Sequence, residues 1–98
     1  RLDHAQHWSA DIEVCDGGTA TITSHWYCDQ RLYSTATLTM SGREWREWIP
    51  MPPDGRGYLF EQRIYSATPI RVWRSTLDVL TEGAKGVSRA TYVGTPNN

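Results

Sequence analysis

The chain has 98 residues and a formal net charge of −1. That length fits one domain, and the near-zero charge argues against the basic field that nucleic-acid binding normally needs. Hydrophobic content of 39 % separates it from disordered chains, and no apolar run approaches the roughly 20 residues that cross a bilayer as a helix.

Arg1 to His7 are polar and show no period. Residues 1–8 are expected to form an N-terminal arm or an edge strand. Trp8, Ala10, Ile12 and Val14 then alternate with Ser9, Asp11 and Glu13, the period-two signature of a half-buried strand. Asp16-Gly17-Gly18-Thr19 is a tight-turn signal. Ala20, Ile22, Trp26 and Cys28 share the inward phase of a second strand, and Asp29 to Leu32 make the next turn. In a third strand Ala36, Leu38 and Met40 face inward, while Thr35, Thr37 and Thr39 face out.

Ser41-Gly42 turns the chain again. Residues Arg43 to Ile49 read as a strand, with Trp45 and Ile49 on one face and Trp48 on the other. A helix competes, because Ser41 and Glu44 match a capping box. Pro50 to Gly57 is a loop rich in residues that break both helix and sheet. Tyr58, Phe60, Gln62 and Ile64 then mark one face of a strand. Ile70 to Leu80 reads as one long strand with a bulge near Arg74, or as a strand followed by a short helix from Ser75 to Glu82. Val87 to Val93 is the last strand and Gly94 to Asn98 a tail. The expected division is an arm or edge strand at 1–8, a sandwich domain at 9–94 and a tail at 95–98.

Six or seven short strands separated by such turns predict an all-β protein, a small antiparallel β-sandwich with hairpin or Greek-key links. A small β-barrel is the alternative. The Cys15 and Cys28 pair, the threonine-rich strands from Thr19 to Met40 and the terminal Arg89-Ala90-Thr91-Tyr92-Val93 resemble the small secreted immunoglobulin-like domains common among actinobacteria. The cysteines lie too close in sequence to bridge two sheets as antibody domains do.

The two cysteines carry a geometric conflict. A hairpin at Gly17-Gly18 would set Cys15 opposite Ala20 and leave Cys28 roughly 26 Å away. A disulfide needs Cα atoms about 4.4–6.8 Å apart. Either the chain bends back before Cys28, or Gly17-Gly18 joins strands that are not neighbours, or the thiols are free. Small exported domains rarely carry unpaired thiols, so a Cys15–Cys28 bond is the expectation. Arg1 stands where an initiator methionine would, and with the cysteines this points to a processed, secreted, extracellular protein.

Catalytic motifs are absent: no phosphate loop, no Gly-x-Ser-x-Gly elbow, no His-Glu-x-x-His helix. A triad from His25, Asp29 and a serine has no support in spacing, so no enzyme and no cofactor are expected. His4, His7, His25 and the cysteines are zinc-type ligands without zinc-type spacing, so no metal site is expected. Aromatic residues are the richer signal. Trp8, Trp26 and Trp45 fall in the inward phase; Trp48, Tyr33, Tyr27 and Tyr65 fall outward. Exposed rings flanked by arginine anchor protein partners. The expected binding residues are Trp48, Arg46, Tyr33, Arg43 and Trp8. The expected function is a non-enzymatic extracellular protein-binding module, an adaptor or subunit that uses an edge strand or the arm. Glycan binding on a Trp48 platform is one alternative. Inhibition of a protease or other hydrolase through the Met51–Gly57 loop is another.

Overall fold

Alternation of apolar and polar residues builds two antiparallel sheets that bury their apolar faces against each other. The computed structural model describes residues 2–81, 88–92 and 96–97, the last two stretches by their backbone alone. The strands are β1 (Asp3–Val14), β2 (Thr19–Cys28), β3 (Arg31–Ser41), β4 (Arg43–Pro50), β5 (Arg56–Gly57), β6 (Phe60–Ser66), β7 (Ile70–Thr81), β8 (Ser88–Tyr92) and β9 (Pro96–Asn97). The larger sheet runs β4-β1-β7-β8, with β5 beside β1 and β9 beside β7; the smaller runs β3-β2-β6. The sheets pack as a sandwich and do not close into a barrel. Of the expected architecture, the structure has the all-β class and two antiparallel sheets face to face.

β1 organises the larger sheet. It pairs with β7 from Asp3↔Thr81 to Val14↔Ile70. Its other side pairs with β5 at Asp3 and His4, and with β4 from His7 to Glu13. The expected arm or edge strand at residues 1–8 is therefore interior: from Asp3 onward this segment has partners on both sides. The helix considered for Ser75 to Glu82 is likewise replaced by strand as far as Thr81. The bulge expected near Arg74 is present, with Trp73 as the extra residue between Asp11↔Arg74 and Ile12↔Val72. Parts of the expected last strand and tail lie outside the described residues; within them, β9 makes two pairings with β7.

Trp8, Ala10, Ile12 and Val14 of β1 face Ala20, Ile22 and Trp26 of β2, with Met40, Ile70, Val72, Leu77 and Val79 filling in around them. Trp8 and Trp26 are fully buried and meet edge to face, ring centroids 6.2 Å apart. Such a pair adds about 0.5–1.5 kcal/mol beyond its area burial. A buried hydrogen-bond chain runs beside them. Trp8 Nε1 donates to Ser75 Oγ (2.9 Å), Ser75 Oγ donates to Gln62 Oε1 (2.6 Å), and Gln62 Nε2 donates to Ser24 Oγ (2.9 Å). Because Trp8 and Ser75 belong to one sheet and Gln62 and Ser24 to the other, the chain ties the layers together.

Gly17-Gly18 joins β1 to β2 across the two sheets, so the hairpin is excluded. Gly17, at φ 75°, supplies the left-handed turn. The disulfide is absent as well: both cysteines are free thiols. Cys15 lies before β2 and Cys28 at its end, and a ten-residue strand spans roughly 33 Å. Asp29 and Gln30 close the β2–β3 hairpin with positive φ at both positions (50° and 69°), the two-residue turn that matches strand twist. Asp29 Oδ1 accepts the N–H groups of Tyr58 and Leu59, so this carboxylate holds the entry to β6.

Two outcomes follow. Ser75→Ala strands the Trp8 N–H and the Gln62 carbonyl together, and should lower stability in urea unfolding by about 1–3 kcal/mol. Thiol counting should find two free cysteines, and limited alkylation should modify exposed Cys15 before Cys28. Burial and the neighbouring Asp29 carboxylate raise the Cys28 thiol above its ordinary range, and the thiolate is the reacting form. A mass two protons lower than the reduced chain would contradict this.

Candidate binding face

The outer side of the larger sheet gathers the three exposed tryptophans, Trp45, Trp48 and Trp73. On β1 the core residues Trp8, Ala10 and Ile12 point inward, so His7, Ser9, Asp11 and Glu13 point out. Cross-strand pairing places Arg43 opposite Glu13, Trp45 opposite Asp11, Arg71 opposite Glu13 and Arg74 opposite Asp11. Asp11, Arg43, Trp45, Trp73 and Arg74 line an open cleft of about 420 Å³.

Within it Arg43 is held on two sides. Its Nε and Nη2 donate to the two oxygens of Asp11 at 3.1 and 2.9 Å, and its guanidinium carbon lies 4.5 Å from the centre of the Trp73 ring. The Asp11 hydrogen bond and charge raise the pKa of Arg43. Arg71 also lies over Trp73, at 5.1 Å, and Trp73 Nε1 donates to Glu13 Oε1 at 3.0 Å. Paired planar contacts of this kind fix side chains that would otherwise be mobile.

Trp45, Trp48 and Trp73 remain 46 %, 60 % and 38 % exposed. Two bulges put them there. On β4, Trp8↔Ile49 is followed by Ala10↔Arg46, so Glu47 and Trp48 together oppose Ser9. Trp48 has φ 60°, a conformation that is a true outlier for a bulky residue. Its N–H donates to Ser9 Oγ at 3.3 Å, and its ring meets His7 edge to face at 4.8 Å. The extra residue reverses the phase of the strand, so Ile49 points in while Trp45 points out. The inward reading of Trp45 is thus corrected: a continuous alternation had placed it on Ile49's face.

Of the five expected binding residues, the structure brings Trp48 and Arg43 to this outer side. Trp8 is fully buried in the core. Arg46 turns to the rim between the sheets, donating from Nη2 to the Thr39 carbonyl (2.8 Å) and from Nε to Glu44 Oε1 (3.1 Å). Glu44 also accepts the Ser41 N–H. This backbone bond, aided by Arg46, holds the Glu44 carboxyl below its ordinary value. The Ser41–Glu44 pair that suggested a helix cap makes the cap's backbone contact, but at a corner between two strands. Tyr33 is corrected from outward to inward. It is the extra residue between Trp26↔Ser34 and Tyr27↔Leu32 and packs on Phe60 at 6.3 Å. A Cβ on Gly55 would come within 2.5 Å of its ring, so the loop can close over Tyr33 only with glycine there. Burial, then Cys28 and Asp54, raise its phenol pKa.

Sequence reasoning missed Trp45, Trp73, Asp11, Arg71 and Arg74 as members of this face. The bulge near Arg74 was the legible signal for Trp73, since a bulge re-aims a side chain. Comparison with known proteins found no matching family model, curated protein or solved structure.

Trp48→Gly and Trp48→Ala remove the same ring, but alanine keeps the cost of left-handed φ. The glycine variant should be the more stable of the two by about 1 kcal/mol. Equal melting temperatures would show that the bulge relaxes without cost.

Proposed function

We propose that the protein is a non-enzymatic binding module whose protein partner docks on the outer face of the larger sheet. The observation that carries this reading is three exposed tryptophans on the outer side of one sheet, two of them lining a cleft in which Arg43 is held by Asp11 and the Trp73 ring. Tryptophan and arginine dominate binding energy at protein interfaces, and clustered exposed apolar surface marks interaction sites. The left-handed backbone at Trp48 points the same way, because local strain collects at functional positions.

A glycan platform is the other reading of exposed indoles. The stacking of Arg43 and Arg71 on Trp73 favours protein, because those guanidinium groups occupy ring surface that a sugar would need. Two packed antiparallel sheets also support the proposed likeness to secreted immunoglobulin-like domains. The reading does not depend on a disulfide or on the compartment that a disulfide implies.

The test starts with gentle size-exclusion chromatography of the native protein and mass spectrometry of whatever co-elutes. Calorimetry with the purified partner should then show Trp45→Ala and Trp73→Ala each weakening binding by about 30-fold or more. Thr23→Ala, on the smaller sheet, should change nothing. Unchanged affinity in both tryptophan variants would remove this face from the interaction. Saturable quenching of tryptophan fluorescence by soluble glycans, lost in Trp45→Ala, would move the assignment to carbohydrate.

A further inference from the structure

The two sheets differ in how their edges are protected. A free strand edge presents unpaired N–H and C=O groups, and proteins normally blunt it with charge, proline or a bulge. β4 carries Arg43, Glu44, Arg46, Glu47 and the Trp48 bulge. β6 carries Glu61 and Arg63, and β8 contains Arg89 in its sequence. β3 is the exception. It has a bulge at Tyr33, near its start; beyond it, the residues from Ser34 to Ser41 include no charge, no proline and no further bulge. β3 has one sheet neighbour, β2, among the described residues.

The direction of its backbone groups follows from two hydrogen bonds. The Gly42 N–H donates to Gly18 O, on the β2 side. The Thr39 carbonyl instead accepts Arg46 Nη2, which approaches from the rim. Alternation along a strand then points the amides and carbonyls of Thr35, Thr37 and Thr39 away from β2, toward the open edge.

We propose that this edge pairs antiparallel with β3 of a second copy about a two-fold axis at Thr37, which merges two three-stranded sheets into one. The sequence is self-complementary in that register. Thr37 meets Thr37 of the second copy, Thr35 meets Thr39, and Ala36 meets Leu38. Threonine lies against threonine on the exposed face, where such cross-strand pairs are favourable. On the inner face the small side chain of Ala36 lies against the larger Leu38, and both are half-buried at the rim of the core. Pairing completes their burial, which is the driving force for association. The Thr39 carbonyl keeps its Arg46 bond and accepts a second N–H, since it has two lone pairs. The nearest charge is Arg46 on the Thr39 carbonyl, which is paired with Glu44. Arg31 and Arg43 flank the seam in sequence, and Arg43 is paired with Asp11. A strand of another protein would have to match this register from outside; a second copy matches it by symmetry. This interface is on the opposite sheet from the proposed partner face and stands independently of it.

Light scattering after size-exclusion chromatography should give the wild-type protein twice the 11.2 kDa chain mass. Thr37→Lys sets two like charges at the axis and should halve that mass, with the circular dichroism spectrum unchanged because Thr37 is exposed. Thr37→Pro should do the same, as it removes an N–H that serves the seam and not the β2–β3 ladder. An equimolar mixture of Thr37→Lys and Thr37→Glu should recover the doubled mass. A monomeric wild type at its highest soluble concentration would overturn the proposal. So would a Thr37→Lys dimer, or a charge-paired mixture that stays monomeric.

Discussion

Trp8 is the residue on which the two layers depend. Its ring meets Trp26 of the opposite sheet, and its indole N–H begins the hydrogen-bond chain through Ser75 and Gln62 to Ser24. A buried polar chain is favourable only when each member is satisfied, and a break leaves an unpaired group in a low-dielectric interior. The chain also fixes more than stability. Ser75 can reach both Trp8 and Gln62 only in one registration of β7 against β1 and of one sheet over the other. Apolar packing alone would tolerate small slides of one layer on the next. The polar chain removes that freedom, and with it fixes which side chains of β1 and β7 lie on the outer face.

The outer face is built on irregularities in that frame. Regular alternation would show solvent a row of short polar groups from β1: His7, Ser9, Asp11 and Glu13. Bulges at Trp48 and Trp73 add a residue each, turn a ring outward and reverse the sequence phase of the strand beyond the bulge. Trp48 does this at the cost of a left-handed backbone. The charges around Trp73 do different work. Asp11 and Glu13, both on the rigid central strand, position Arg43 and the Trp73 indole. The aromatic and cationic groups are thus held before any partner arrives, which lowers the ordering cost of binding.

The sheet edges show the same economy of means in reverse. β4 and β6 carry charges that discourage edge pairing, and Arg46 reaches from β4 to occupy one carbonyl of β3. Beyond its bulge at Tyr33, β3 itself carries no charge and no proline as far as Ser41. One sheet of the sandwich therefore offers a side-chain surface and the other a backbone edge, and the two proposed contacts lie on opposite sheets.

The sequence by itself determined the all-β class, the approximate strand positions and the inward phase of β2 and of β3 from Ala36 to Met40. It did so because period-two alternation is a local property, readable wherever a strand is regular. It also located the chain reversals near Gly17, Asp29 and Gly42, where positive φ is required. It placed Trp48 in the outward phase, where the structure has it. Only the tertiary structure decided that β1 and β2 belong to different sheets, that residues 3–8 are interior, that the cysteines stay apart, and that Trp45 points out while Tyr33 points in. The reason is physical. Pairing partners are set by contacts between residues distant in sequence, and a single inserted residue moves every side chain beyond it to the other face. A bulge leaves almost no local trace in composition, so the residues it re-aims are the ones that reading in sequence order misplaces.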